Sequence, residues 1–350
     1  MPKRIVIMAG GTGGHVFPAL AVAQYLREQG WQVSWMGTRK GMESRVVPEN
    51  NIDIDWLSVQ GLRGKGRLAL VKMPWMLVRS CVEARRILRR RKPDVVLGMG
   101  GFVAGPGGLM AKLSGIPLVV HEQNRIPGTT NRLLAGLANK VLEAFPGSFI
   151  TKKNAIFTGN PLRKSFIETQ NRHKQTTVVR HILVLGGSLG AQRLNEVLPD
   201  ALAGVENIEV QHQTGTVMQQ QVMDSYQEKG VKSTVTAFID DMVSAYAWAD
   251  LVICRAGAMT VSEVAAMELA SILIPYPHAV DDHQTANAQY LVNAGASVLI
   301  KQVDLTSEIL VQQLQECLAN RTKMASAAKQ CATLNATELV AEQCRLEASL

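Results

Sequence analysis

A histidine, three glycine-rich turns and a glutamate carry the chemistry this sequence can perform. Gly10-Gly11-Thr12-Gly13-Gly14-His15 follows the apolar run Arg4-Ile5-Val6-Ile7-Met8 and precedes an amphipathic stretch that reads as a helix from about Pro18 to Gln29. Glycines at a strand-to-helix turn let the backbone bend tightly and approach a ligand closely. The helix N-terminus behind them offers unpaired N–H groups and a partial positive charge, suited to phosphate or a polar sugar. His15 closes the turn at the carboxyl end of a strand, where open α/β sheets hold ligands. An ordinary imidazole pKa of about 6.5 suits it to general base work. Val16 stands where the dinucleotide fingerprint has Gly or Ala, and no Lys-Ser/Thr closes the turn as in a Walker loop.

Gly186-Gly187-Ser188-Leu189-Gly190 repeats the pattern after His181–Leu185, with Ser188 able to donate to a phosphate oxygen. A third turn follows the strand read at 250–254: Gly257 turns the chain and a helix begins near Met259 or Thr260. Thr260 to Glu263 has the Thr-x-x-Glu form of a capping box. The alternative is that this helix end faces a diphosphate while Glu263 accepts hydrogen bonds from ribose hydroxyls. Gly100-Gly101-Phe102 and His121-Glu122-Gln123-Asn124 also follow strands and offer groups for phosphates and hydroxyls. Asp281-Asp282-His283 and Asp240-Asp241 make poor metal sites, because adjacent residues do not present well to one ion. No metal is expected.

These turns need parallel strands behind them. Short runs apolar on both faces, at 4–8, 32–36, 93–98 and 117–121, read as buried parallel strands. The arrangement restarts at His181, with further strands at 208–211, 235–238, 250–254, 272–275 and 298–300. The chain therefore reads as two α/β units joined by a polar segment over 160–180, with a last helix over about 337–348 that belongs to either. Five scattered cysteines without a Cys-x-x-Cys point to reduced thiols. No apolar run reaches the roughly 20 residues of a membrane-spanning helix, and no signal peptide is read.

The net charge of +8 over 350 residues is concentrated. Residues 63–92 hold eleven basic side chains against Glu83 alone, which leaves −2 for the other 320 residues. Leu70, Met73, Leu77, Cys81, Ala84 and Leu88 recur at helical spacing, with Lys72, Arg79, Arg86 and Arg90 on another face. A helix C-terminus favours such cations, so a solvated face is one reading. Nucleic acid or a membrane surface is the other, and only Trp75 offers stacking.

Taken together, residues 8–18, 98–102, 121–124, Gly159-Asn160-Pro161-Leu162-Arg163, Gly186-Gly187-Ser188 and 254–263 resemble the MurG family of bacterial transferases. That family adds N-acetylglucosamine to lipid I, the undecaprenyl-diphosphate-linked muramyl-pentapeptide, and so forms lipid II. The resemblance covers nearly the whole chain; Leu189 departs from members with Gln after the serine. It implies an α/β GT-B fold, with two Rossmann-like domains whose parallel sheets face a cleft. Residues 1–160 would form the acceptor and membrane-docking domain and 161–335 the UDP-GlcNAc domain, with 336–350 unassigned.

The resemblance further implies that Arg163, Ser188 and Ile239, the last through its backbone, meet the nucleotide. Ala258, Met259, Thr260, Val261 and Ser262 would meet the diphosphate, Glu263 the ribose and Gln284 the donor sugar. Thr12, Gly13, Gly14 and Asn124 would approach from the other domain, with His15 as base. Gly100, Gly101, His121, Glu122 and Gln123 would serve the acceptor. Leu70, Trp75, Met76, Arg79 and Arg86 would dock on anionic phospholipid at the cytoplasmic face of the inner membrane. No cofactor is implied. Other implied partners are cell-wall synthesis proteins, and nucleic acid is not among them. A UDP-GlcNAc 2-epimerase on the same scaffold is the alternative enzyme; a nicotinamide oxidoreductase is disfavoured by the broken fingerprint.

Overall fold

The structure, a computed structural model, describes residues 2–59, 67–150, 154–169, 179–187 and 190–349, with the side chains of 67–72 left aside. Two compact units emerge: residues 1–163 with 334–350, and residues 164–333.

In the first unit the order is β1 (Arg4–Ala9), α1 (Gly13–Glu28), β2 (Gln32–Gly37), α2 (Glu43–Glu49), β3 (Asp53–Trp56), α3 (Arg67–Arg91), β4 (Val95–Gly100), α4 (Ala104–Leu113), β5 (Leu118–Glu122), α5 (Thr129–Leu134), β6 (Lys140–Glu143) and β7 (Ile156–Phe157). The strands pair in parallel in the order β3-β2-β1-β4-β5-β6-β7. Alternation along β1 shows why its run is apolar throughout. Ile5 and Ile7 face Val16, Leu20 and Ala23 of α1, whereas Val6 and Met8 face Ala84 and Leu88 of α3 and Ala104 of α4. The short strands β3, β6 and β7 were not foreseen; β3 reads Asp-Ile-Asp-Trp, which lacks the apolar run of a central strand.

The second unit holds α6 (Lys164–Glu168), β8 (Arg180–Leu185), α7 (Gln192–Ala203), β9 (Ile208–Gln213), α8 (Gln219–Glu228), β10 (Ser233–Thr236), α9 (Met242–Trp248), β11 (Leu251–Cys254), α10 (Ala258–Ala266), β12 (Ala270–Leu273), α11 (His283–Asn293), β13 (Ser297–Leu299), α12 (Ser307–Ala319) and α13 (Arg321–Cys331). Its sheet is also parallel, in the order β10-β9-β8-β11-β12-β13.

The last helix, α14 (Ala336–Glu347), packs on the first unit. Its Val340, Ala341 and Cys344 join the α1 side of that core, and Thr337 Oγ1 donates to the Leu162 carbonyl at 3.3 Å.

Helix α3 is amphipathic from Met73 to Arg91. Ser80, Ala84, Ile87 and Leu88 are buried, and Met73 and Cys81 are half-buried on the same side. Trp75, Val78, Arg79, Val82, Arg86 and Arg89 lie exposed on the opposite face. The charge count of residues 63–92 changes once β3 is in place, because Asp53 and Asp55 reach the helix from outside that window. Arg91 bonds Asp55 at 2.7 Å and Asp53 at 2.8 Å, and Arg90 also pairs with Asp55.

Candidate active site

Both sheets reverse direction of strand order at one point, between β1 and β4 in the first unit and between β8 and β11 in the second. Ligands of open parallel sheets sit outside the carboxyl ends of the strands at such a switch point. Each of the glycine-rich turns singled out above lies at one of these two places.

In the first unit, α1 begins at Gly13 rather than near Pro18. Thr12 is its N-cap residue, and the Thr12 carbonyl accepts the N–H groups of His15 at 3.1 Å and Val16 at 3.2 Å. The glycines are therefore the first helical turn itself. Pro18 is the sixth residue of the helix, inside it, and forgoes one bond of the i→i−4 ladder. The turn is held by Glu43, a buried carboxylate that accepts from Gly11 N at 3.0 Å and from Thr38 N and Oγ1, each at 2.8 Å.

Gly100 and Gly101 close the other side. Both have positive φ, of 102° and 81°. A Cβ on Gly100 would stand 2.8 Å from Cε1 and Nδ1 of His15, and one on Gly101 would stand 2.3 Å from the Gly10 carbonyl oxygen. Their smallness is thus set by close backbone approach to the β1 turn and the His15 ring.

His15 Nδ1 lies 2.7 Å from Gln123 Oε1, and Gln123 Nε2 lies 2.9 Å from His121 Nδ1. The chain of contacts ends where His121 Nε2 meets the Gly159 carbonyl at 3.0 Å. His121 and Gln123 are fully buried. Burial pushes the His121 imidazole down to about 4, helped by the nearby His15 and opposed by the Gly159 hydrogen bond.

Glu122 departs from the reading of it as an acceptor ligand. One carboxylate oxygen accepts from Asn124 N at 2.9 Å and Asn124 Nδ2 at 3.2 Å; the other accepts from Gly128 N at 3.1 Å and Asn131 Nδ2 at 3.0 Å. It is buried and shapes the loop that presents Asn124. Arg163 belongs to this unit, its guanidinium 5.6 Å from the Phe17 ring of α1.

In the second unit, Ser188 and Leu189 lie outside the described residues. Around them, Gly187 and Gly190 have φ of 84° and 77°, and a Cβ on Gly190 would stand 2.1 Å from the Thr214 carbonyl oxygen. Gln213, at the end of β9, ties this turn to the segment after β10. Its Nε2 donates to the Gly187 carbonyl at 3.0 Å, and its Oε1 accepts Ile239 N at 3.0 Å. Of the Ile239 backbone expected to meet a nucleotide, the amide is thus engaged by Gln213.

Helix α10 starts at Ala258 with Gly257 as N-cap residue. Thr260 is thus the third helical residue, so Thr260–Glu263 does not form a capping box. No acidic residue lies in its first turn, and a helix N-terminus carries a partial positive charge. Met259, Thr260 and Ser262 are half-buried, Val261 turns its side chain into the core, and Ser262 Oγ donates back to the Ala258 carbonyl at 3.0 Å. Glu263 accepts from Tyr246 Oη at 3.1 Å. Gln284 Oε1 accepts Tyr276 N at 2.9 Å, which fixes the loop after β12. Among the described residues no group of three His, Cys, Asp or Glu side chains converges on a common point. Asp241 instead caps α9 through Ser244, and Asp282 accepts from Thr285 Oγ1 at 2.7 Å.

Four supporting residues escaped the sequence reading: Glu43, Gln213, Asn287 and Arg255. Asn287 is buried and donates to the Ala256 carbonyl at 3.2 Å. Arg255 donates to the carbonyls of Ile274 at 3.1 Å and Pro275 at 3.2 Å. Polar residues at the carboxyl ends of strands were the available signal for Gln213 and Arg255; Glu43 and Asn287 lie on helices and carry none.

Two doubly wound parallel-sheet units, one presenting an imidazole and the other the N-terminus of α10 at its switch point, make up the GT-B architecture. Family models agree: the glycosyltransferase family 28 N-terminal domain matches residues 5–143 and its C-terminal domain residues 181–343. The chain belongs to glycosyltransferase family 28. It is 58% identical over 353 residues, covering 99% of each chain, to the UDP-N-acetylglucosamine–N-acetylmuramyl-(pentapeptide) pyrophosphoryl-undecaprenol N-acetylglucosamine transferase of Methylococcus capsulatus. The protein of that name from Shewanella amazonensis is 50% identical, over 98% of this chain and 97% of its own. Among solved structures, Acinetobacter baumannii MurG is similar with a TM-score of 0.85 and 41% identity, over 99% of this chain and 100% of its own. A UDP-GlcNAc 2-epimerase from Neisseria meningitidis has a TM-score of 0.69 at 13% identity, over 97% of this chain and 98% of its own, a likeness of fold alone.

Proposed function

We propose that this chain is the transferase that moves N-acetylglucosamine from UDP-GlcNAc to the C4 hydroxyl of lipid I, forming lipid II for peptidoglycan. The observation that carries this reading is full-length identity of 58% to a transferase of that name, joined to an imidazole at the first switch point. His15 accepts the proton of the acceptor hydroxyl as its oxygen attacks the anomeric carbon from the face opposite UDP. The bond from that carbon to the diphosphate breaks, and a β-linkage results. Charge builds on the departing diphosphate, where the N-terminal turn of α10, with Ser188 on the β8 turn, stabilises it. Glu263 holds the ribose hydroxyls, Gln284 the donor sugar, and the Ile239 carbonyl the nucleobase. Arg163 also meets the nucleotide, and Thr12, Gly13, Gly14 and Asn124 complete the donor contacts. A transfer assay with UDP-GlcNAc and a lipid I analogue, run with and without EDTA, tests this. Transfer in both arms is expected; no transfer, or epimerised sugar from UDP-GlcNAc alone, contradicts it.

The acceptor is a lipid, and the exposed face of α3 supports docking of the first unit on an anionic bilayer at its cytoplasmic face. No helix among the described residues is long and apolar enough to cross a membrane. Trp75 is 76% exposed, and Val78 and Val82 share its face with Arg79, Arg86 and Arg89. Leu109 and Leu113 are exposed on α4, which packs beside α3. Arg79 is bound to Glu83 at 2.9 Å, while Arg85, Arg86 and Arg89 meet no carboxylate among the described residues. Each such cation contributes about 1 kcal/mol near an anionic surface. Met76 is half-buried, and the Leu70 side chain lies outside those described. Salt-sensitive binding to anionic vesicles is expected; equal binding to neutral vesicles contradicts it.

A further inference from the structure

We infer that His121 and Gln123 form a positioning relay that holds His15 as the Nδ1–H tautomer and so leaves its Nε2 as the proton acceptor. The inference rests on the reading of His15 as the base of the transfer reaction.

Each link is fixed by what its neighbour can donate or accept. The Gly159 carbonyl only accepts, so His121 Nε2, 3.0 Å away, carries the proton. A buried, neutral His121 then has a lone pair on Nδ1. Gln123 Nε2 sits 2.9 Å from that lone pair and 3.2 Å from the His121 carbonyl, so both amide hydrogens have acceptors. Turning the amide over would set its oxygen against those same two acceptors, which fixes its orientation. Gln123 Oε1 consequently faces His15 Nδ1 at 2.7 Å and, being a carbonyl, requires a proton there. A neutral imidazole with hydrogen on Nδ1 carries its basic lone pair on Nε2. A side chain at position 100 would displace the same ring, since a Cβ there would stand 2.8 Å from Cε1 and Nδ1. The backbone of Gln123 is itself held, since Asn160 Nδ2 donates to its carbonyl at 3.1 Å.

A free imidazole favours the opposite tautomer, so the relay has a spectroscopic signature separate from turnover. The protein has seven histidines, few enough for ¹⁵N-histidine labelling and long-range ¹H–¹⁵N correlation at pH 8. The wild type is expected to show a pyrrole-like Nδ1 and a pyridine-like Nε2 at His15, and the reverse at His121. Finding His15 as Nε2–H in the wild type overturns the inference without any variant. Gln123→Met is expected to return His15 to a mixture and lower kcat by roughly 10- to 1000-fold with KM for UDP-GlcNAc unchanged. His121→Asn, whose side-chain oxygen can accept from Gln123 Nε2 in place of Nδ1, is expected to keep the His15 tautomer, whereas His121→Leu loses it; loss of the tautomer in the first or its retention in the second overturns the relay. An unchanged tautomer or an unchanged kcat in Gln123→Met also overturns it. His15→Ala separates the two ideas: normal turnover there removes His15 as the base, whereas the tautomer spectra test the relay itself.

Discussion

The turn after β1 runs straight into α1 at Gly13 and delivers His15 within the first helical turn, while the turn after β8 is followed by α7 only at Gln192. Both units use a buried glutamine at the carboxyl end of the sheet as a tie. Gln123 links two imidazoles, and Gln213 links the Gly187 carbonyl to the Ile239 amide. One scaffold device thus ends on a proton acceptor in the first unit and on backbone groups in the second. Under the proposed function the difference reads as a division of labour: proton transfer would fall to the first unit, and the main grip on nucleotide and diphosphate to the second.

The sharpest way to break that division is His15→Ala. Turnover should fall by about 10² to 10⁴, the usual contribution of a general base, while UDP-GlcNAc affinity measured by calorimetry stays within about twofold. Next in size is Gly190→Ala, where φ of 77° and a Cβ 2.1 Å from the Thr214 carbonyl oxygen force the β8 turn to move. The left-handed backbone alone costs about 1–2 kcal/mol, so urea unfolding should shift and donor affinity should fall. Glu263→Ala should raise KM for UDP-GlcNAc by about 10- to 100-fold, the size of a lost hydrogen bond to a charged group, with kcat at saturating donor nearly kept.

Acid treats the two units alike. Burial holds His121 down to about 4 and His212 to about 3, below the ordinary value of 6.5. For a depressed imidazole the stability is fully present above the unfolded pKa and is lost as pH falls toward the folded one. Unfolding free energies from urea titrations should therefore be flat above pH 7 and fall from pH 6.5 to about 4 through His121 and to about 3 through His212, by up to about 1.4 kcal/mol per pH unit for each. His212→Gln should reduce that slope without altering the His15 tautomer. The smallest effect on the fold is expected from Trp75→Ala, under about 0.5 kcal/mol in unfolding free energy, with several-fold weaker binding to anionic vesicles.

Much of this arrangement was legible in the sequence because parallel strands buried on both faces leave uninterrupted apolar runs such as Ile5–Met8 and Ile182–Leu185. The glycine turns that follow them mark carboxyl ends of strands, where open α/β sheets hold ligands. In the first sheet the edge strands β3 and β7 were not legible, since Asp53–Trp56 mixes charge and apolar side chains and β7 has only two residues. The true charge of the α3 face was hidden because Asp53 and Asp55 reach Arg90 and Arg91 from a distant segment. The capping-box reading of Thr260–Glu263 failed because the helix starts two residues before Thr260, at Ala258. Glu122 and Gln123, adjacent and alike in sequence, serve different ends: four donors surround the first, and two imidazoles flank the second. Only the folded loop separates such roles.

The division of labour is tested most directly by steady-state transfer kinetics of the double variant His15→Ala/Glu263→Ala beside its two parents. Independent roles predict the kcat of His15→Ala together with the donor KM of Glu263→Ala, so that the losses in kcat/KM multiply. A double variant whose kcat/KM equals that of either parent, or a His15→Ala parent whose donor KM rises as far as that of Glu263→Ala, would contradict the account.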